Sequence, residues 1–411
     1  MTPPPRLAAS LLSALLLLVA SPAAARENLS TEGLLSDVIQ QATMEEEGAI
    51  ERSQGWAALP QVGYSPEKGP NGGIKFTDRS ATPERLMIDL EGSYAAEGQR
   101  NASLAVVAPH FFGDNLIAAL EARYSFDPAK EFFGLGNNEV GPDPLSTHEF
   151  RLLSAVGTLA ARPLPRVTLA LSGGVTDVRI RRGGLEGSRP STVEGFPDLV
   201  GIRGGQTNPI SFSIVYNNRE EITRPTRGWS LTAKVQHVNR QLGNDFHFTR
   251  YIFDGSYLYP LMTRSQVIGL RIGGEFLDSK RRRLPFYELS SLGGAQDLRG
   301  FFDERFLGRS RVMINGEYRL KLFDFDFYEI WRVRVDGVVF GDMGRVFLND
   351  SDLTNEFKVD RELLPRLFQD FRYSYGGGTR IALGEAILAR IDVGFSDEEK
   401  GLVYLTFGHM F

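Results

Sequence analysis

Along most of this chain apolar and polar residues alternate with a period of two. In the last segment Val403, Leu405, Phe407 and the terminal Phe411 fall on one face, and Tyr404, Thr406 and Gly408 on the other. Just before it Ile387, Ala389, Ile391, Val393 and Phe395 oppose Arg390, Asp392 and Gly394. A third run sets Val333, Val335, Gly337 and Val339 against Arg332, Arg334 and Asp336. Such alternation is the signature of strands with one apolar and one polar face. About sixteen segments of this kind follow one another over residues 59–411, with no sizeable helical unit between them. A sandwich rarely uses so many strands, whereas a membrane barrel sets every second residue in lipid and the rest in a polar lumen.

The connections sort themselves by length. Those at 127–147, 179–208, 277–308 and 342–372 are long and each follows an odd-numbered strand. Those at 161–165, 259–264 and 384–385 are short and follow even-numbered strands. Long loops at one end and tight turns at the other are the asymmetry of outer-membrane barrels. The expected fold is therefore all-β, a sixteen-stranded antiparallel transmembrane β-barrel over residues 59–411.

The N-terminus adds an address. Arg6 precedes an apolar run over residues 7–20, shorter than the roughly 20 residues that cross a bilayer as a helix. Pro22 and Ala23-Ala24-Ala25 then offer a cleavage site, so residues 1–25 read as a secretory signal peptide. Residues 26–58 form a periplasmic segment. Within it Leu34, Leu35, Val38, Ile39 and Met44 are spaced for one short amphipathic helix, which is marginal alone in water and suited to docking a periplasmic partner through residues 34–44.

Without the signal, 45 basic residues face 51 acidic ones, which argues against a nucleic-acid partner. There is no Cys, hence no disulfide, thiolate metal site or lipoprotein anchor. No cofactor or metal is expected. The five His residues, His110, His148, His237, His247 and His409, lie in no G-x-S-x-G or H-E-x-x-H setting, so no enzyme is expected. His237 and His247 lie near opposing ends of one hairpin and are within reach of each other. Arg281-Arg282-Arg283 suits acidic headgroups, a pore lining or a solvated loop.

The most specific stretch lies in the connection at 277–308, where Leu298-Arg299-Gly300-Phe301 follows Leu292-Gly293-Gly294-Ala295-Gln296-Asp297. Asn315-Gly316-Glu317-Tyr318-Arg319 and Phe340-Gly341-Asp342-Met343-Gly344 come on the next two strands. Taken together these segments resemble the BamA/TamA outer-membrane assembly-factor superfamily, with Leu298 in a position the family usually fills with Val or Ile. The resemblance implies a loop folded into the lumen with Arg299 paired to Glu317 and Asp342. The alternation agrees, because Arg311, Glu317, Arg319 and Asp342 all have lumen-facing parity. Weaker likenesses are Phe132-Phe133-Gly134-Leu135-Gly136-Asn137 and the turn from Tyr216-Asn217-Asn218-Arg219 to Pro225-Thr226-Arg227-Gly228, with Asn217 where the family has Asp. The terminal strand, with Tyr404, Phe407, Gly408 and Phe411, reads as a sorting signal for the barrel assembly machinery that inserts the chain among outer-membrane lipids.

The implied function is to help insert, translocate or display proteins or lipids at the bacterial outer membrane. The seam between first and last strands would open, helped by the nearby Gly376-Gly377-Gly378. The alternatives are a passive solute pore and a membrane anchor for a periplasmic partner. Large members of that superfamily carry periplasmic domains, and residues 26–58 are too short for one, so none is expected before the barrel.

Overall fold

The computed structural model describes residues 56–78, 86–112, 115–137, 143–183, 189–220, 225–279, 284–327, 331–348, 370–383 and 387–407. The segments expected as signal peptide and as the 34–44 helix lie outside these residues, as do Arg281, Arg282, Arg283, Gly408 and Phe411.

Period-two residues along the chain give strand after strand. These are β1 (Trp56–Ser65), β2 (Gly69–Asp78), β3 (Met87–Ala95), β4 (Arg100–Ala108), β5 (Leu116–Phe132), β6 (Ser146–Leu164), β7 (Val167–Arg182), β8 (Gly204–Thr207), β9 (Ile210–Asn217) and β10 (Gly228–Val238). There follow β11 (Phe248–Pro260), β12 (Gln266–Asp278), β13 (Ser290–Leu292), β14 (Phe306–Gly308), β15 (Ser310–Phe327), β16 (Trp331–Phe347), β17 (Arg372–Leu383), β18 (Ile387–Phe395) and β19 (Leu402–Phe407). β13 and β14 form a small hairpin inside the loop at 279–309. β8 and β9 both pair with β7 and make one stave, interrupted at Asn208-Pro209, where Pro209 has no N–H for the ladder. The remaining strands pair antiparallel in chain order, and β1 meets β19 to close a sixteen-stave barrel.

The two faces divide as the alternation requires. Leu90, Leu120, Leu153, Leu171, Phe253 and Ile268 are exposed on the outside, where a lipid belt covers them. Arg271, Asn315, Glu317, Arg380 and Asp392 are buried on the inside. Four strands run farther than their patterns suggested. β5 continues to Phe132 through a register shift between Asp127 and Lys130, and a bulge breaks the alternation. β7 runs on to Arg182 and β16 to Phe347, and β1 begins at Trp56 rather than at 59. On β6 the outward positions Thr147, Glu149 and Arg151 are polar and Leu153 is apolar, so the upper part of this strand stands clear of the belt.

The loops fold back over the barrel mouth. A short helix, α1 (Thr192–Gly195), packs with Phe132, Phe150, Leu152, Ile180, Leu199 and Phe286 in one apolar cap. His148 lies in this cap, fully buried, with Nδ1 3.2 Å from Thr192 Oγ1 and its ring edge-on to Phe286. Burial beside Lys130 pulls its pKa down from 6.5 to about 3, so the imidazole is neutral.

Candidate functional site

The loop at 279–309 descends into the lumen and turns there on glycines. Its tip is a single helical turn, α2 (Gly294–Asp297), entered through Gly293 and Gly294 at φ 129° and 79°. Gly300 has φ 96°, which a side chain resists, and a Cβ there would stand 2.9 Å from the Phe395 carbonyl. Gly394 on β18 is the other half of this approach, since its Cβ would meet Gly300 N at 2.5 Å. Leu292, Leu298, Phe301 and Phe306 from the loop pack on Met313 and Val346 of the wall, all buried. Gly344 makes room for this plug, because a Cβ there would lie 2.9 Å from Leu292 Cδ1.

Arg299 sits at the centre, with no solvent exposure. Asp342 accepts from its Nε and Nη2, both at 2.8 Å, in a two-pronged fork. Nη1 reaches Glu317 Oε1 at 2.6 Å and Asp392 Oδ2 at 3.5 Å. The guanidinium carbon lies 3.4 Å from the centroid of the Phe340 ring. The structure thus brings together Arg299, Glu317 and Asp342.

It adds Arg380, Arg390 and Asp392, which the motifs did not include, and pairs Arg319 of the second motif. Arg380 Nη2 is 3.0 Å from Glu317 and its Nη1 2.6 Å from Asp392; Arg390 Nε is 2.5 Å from Asp392; Arg319 Nε is 2.8 Å from Glu317. Arg380 and Arg390 are directly opposed across β17 and β18, and Asp392 separates their charges. Four guanidiniums and three carboxylates share a sheltered space. The signal for the missed members was parity, since Arg390 and Asp392 face inward on the alternation. Arg380 stands as a lone charge ahead of apolar Ile381, Ala382 and Leu383.

Gly376 and Gly378 have a packing role beside the cluster. A Cβ at Gly376 would run into the Phe340 ring, and one at Gly378 into the Asp392 carboxylate, so these glycines make room for the charge cluster. Tyr404 points inward onto the loop and is fully buried. Its hydroxyl donates to Phe301 O at 2.9 Å and accepts from Gly300 N at 3.3 Å.

Further contacts tie the loop on every side. Arg311 holds Asp297 at 2.5 Å, and Asn315 Nδ2 donates to Asp297 O at 2.6 Å. Arg271 donates to Gln296 O at 3.0 Å, and Arg390 Nη2 donates to Ala295 O. Arg305 forms a fork with Glu398 at 2.7 and 2.9 Å. The segment from Phe132 to Asn137 lies over the loop, where Gly136 N donates to Leu307 O and Phe133 stacks on Phe302. Asn217 Oδ1 accepts from Arg219 N and Nε at 3.1 and 3.2 Å. His237 and His247 meet edge-on at 5.6 Å. Ser146, Thr192 and His148 are linked, but all three are buried in the cap, out of reach of a substrate.

Residues 85–411 match the Omp85 superfamily domain. A search of the curated proteins finds no match. Among solved structures the chain is similar to BamA from Haemophilus ducreyi lacking POTRA domains 1–3, at TM-score 0.62 and 19% identity, over 87% of this chain and 71% of that one. It is also similar to CdiB from Escherichia coli, at TM-score 0.57 and 12% identity, over 87% and 63% of the two chains. CdiB from Acinetobacter baumannii gives TM-score 0.51 and 10% identity, over 86% and 59%. The chain thus spans less than two thirds of either CdiB. At these identities the likeness is one of fold.

Proposed function

The chain belongs to the Omp85 superfamily and is a bacterial outer-membrane barrel, and from that premise we propose that it helps insert, translocate or display proteins or lipids at that membrane. The observation that carries this reading is the seam. Among the described residues β1 meets β19 at one register pair, Tyr64↔Leu405. Its other edge pairs with β2 without a break from Trp56↔Asp78 to Ser65↔Gly69. The seam joins the two ends of the chain with no connecting turn, so parting it breaks no hairpin, and it bares the backbone donors and acceptors of two strand edges. An extended client segment can pair with such an edge by strand addition.

The loop makes this division of labour workable. Arg299 and its partners brace the lumen wall from β15 to β18, next to the seam strand β19, and Tyr404 fastens β19 itself to the loop. The barrel can then part on the β1 side while the loop keeps β15–β19 together. A lumen occupied by a charged and apolar loop speaks against the passive pore. The chain carries out no chemical step in this reading. Residues 34–44 would dock a periplasmic partner that delivers the client.

The test uses the full chain in phosphatidylcholine vesicles whose acyl chains slow spontaneous insertion. A urea-unfolded outer-membrane barrel is added, and its folding is followed by the heat-dependent gel shift. Faster folding than in protein-free vesicles supports the reading. Equal rates in both, with the chain itself folded, refute it for protein clients.

A further inference from the structure

The outer surface holds a row of arginines that the lumen site does not use. It crosses five strands through directly opposed residues: Tyr94 and Arg100, Arg100 and Phe126, Phe126 and Arg151, Arg151 and Arg179. All five side chains point outward. Arg100 and Arg151 lie against the same ring, each with its guanidinium carbon 5.4 Å from the Phe126 centroid, and Arg100 is also 5.8 Å from Tyr94. Two like charges are therefore held at one aromatic ring. Arg100 has no ion-pair partner among the described residues, and Arg151 has only Glu149 at 3.7 Å. Arg179 is paired with Asp177 and stays well exposed.

The row lies where the outward face changes character. Toward the middle of the barrel come Leu104 on β4, Leu120 on β5, Leu153 on β6 and Val175 on β7, all exposed and apolar. At the row and beyond it, toward the long loops, come Arg100, Arg151, Glu149, Arg179 and Arg181. The surface is apolar below and cationic above, with aromatic rings at the boundary. A free anion would use only its upper half. An amphipathic anion uses both.

We propose that Arg100, Arg151 and Arg179 bind the phosphate-bearing headgroup of an outer-leaflet lipid whose acyl chains lie on the apolar strip beneath them. Guanidinium forks match phosphate oxygens, and the flanking rings hold the forks in place without consuming their donors. Removal from bulk water at the lipid boundary strengthens each contact. The inference depends on the outer-membrane location and not on what the barrel transports.

The test measures binding of a diphosphorylated, acylated glucosamine disaccharide to the full chain in maltoside micelles by native mass spectrometry. Wild type is compared with Arg100→Gln/Arg151→Gln, with Arg100→Gln alone, and with Arg264→Gln at the opposite rim. The heat-dependent gel shift establishes that each variant is folded. Because Arg100 is exposed and unpaired, its single replacement keeps the test valid if the double variant fails to fold. The expected result is affinity weakened about tenfold in the double variant, about threefold in Arg100→Gln, and unchanged in Arg264→Gln. The dephosphorylated lipid should bind wild type no better than the intact lipid binds the double variant, and excess inorganic phosphate should not displace the intact lipid. Equal binding by wild type and Arg100→Gln overturns the proposal. So does binding indifferent to the lipid phosphates, or displacement by free phosphate.

Discussion

Replacing Arg299 by Ala probes the lumen loop where its energetics are most sharply divided. Glu317 would keep Arg319 and Arg380, and Asp392 would keep Arg380 and Arg390. Asp342 has no ion pair but Arg299 among the described residues, so it alone is left as an unpaired buried carboxylate. Breaking a buried pair in this way costs about 3–5 kcal/mol. The cost falls on seating of the loop rather than on the ladder of the barrel. At about 1.4 kcal/mol per factor of ten, the population with the loop unseated rises by on the order of 10² to 10³. Hydrogen exchange read by mass spectrometry on peptides spanning 290–308 should accelerate by that factor, while peptides of β5 and β6 stay unchanged. Asp342→Asn leaves Arg299 paired with Glu317 and near Asp392, and should cost about 1–3 kcal/mol. Combining the two removes the stranded carboxylate, so the double variant should exchange more slowly than Arg299→Ala alone. Unaltered exchange in Arg299→Ala, or strictly additive losses in the pair, would refute the reasoning.

Other perturbations separate the remaining parts. Gly300→Ala forces a side chain into positive φ and against the Phe395 backbone, and should loosen the loop by about 1–3 kcal/mol. Gly344→Ala meets only the flexible end of Leu292 and should cost less in the same exchange experiment. Tyr404→Phe removes the bonds to Phe301 O and Gly300 N, so loop exchange should rise by about 1–2 kcal/mol while the amount of folded protein in the outer membrane stays the same. A fall in that amount would show that Tyr404 acts in sorting instead. His148 is neutral in the cap with a pKa lowered to about 3 against 6.5 when the cap is open. Its contribution to cap stability is thus whole above about pH 6.5 and declines as pH drops toward 3, because the open form then binds the proton. Exchange in peptides covering 189–203 should quicken over that range in wild type, and His148→Gln should flatten its share of the response.

The barrel was legible because lipid imposes period two on every stave, and the inward Arg311, Glu317, Arg319, Asp342, Arg390 and Asp392 followed from counting along strands. What the alternation misplaced were strand ends. The bulge near Asp127 shifts the phase, and beyond the belt the outward face of β6 is polar while its inward Phe150 and Leu152 pack in the apolar cap, so the alternation reverses and no longer marks the strand. The charge cluster was only half legible. Arg299, Glu317 and Asp342 were linked through the resemblance, but Arg380 joins them through the register of β17 with β18, which one sequence does not show. The packing role of Gly376 and Gly378 was hidden for the same reason, since the Phe340 ring and the Asp392 carboxylate that they accommodate come from neighbouring strands. Tyr404 carried two readings at once, a terminal aromatic and a lumen-facing hydroxyl, and only the position of the loop shows the second.

The proposed function rests on the seam. Because the chain has no Cys, Tyr64→Cys with Leu405→Cys places a single opposed pair across it. Cells carrying this variant are grown under oxidising or reducing conditions, and the protein and lipid content of their outer membranes is compared with that of a deletion strain. The account predicts that the oxidised, tethered barrel loses the same components as the deletion and that reduction restores them. An outer membrane of normal composition, with the tether formed in full, would contradict it.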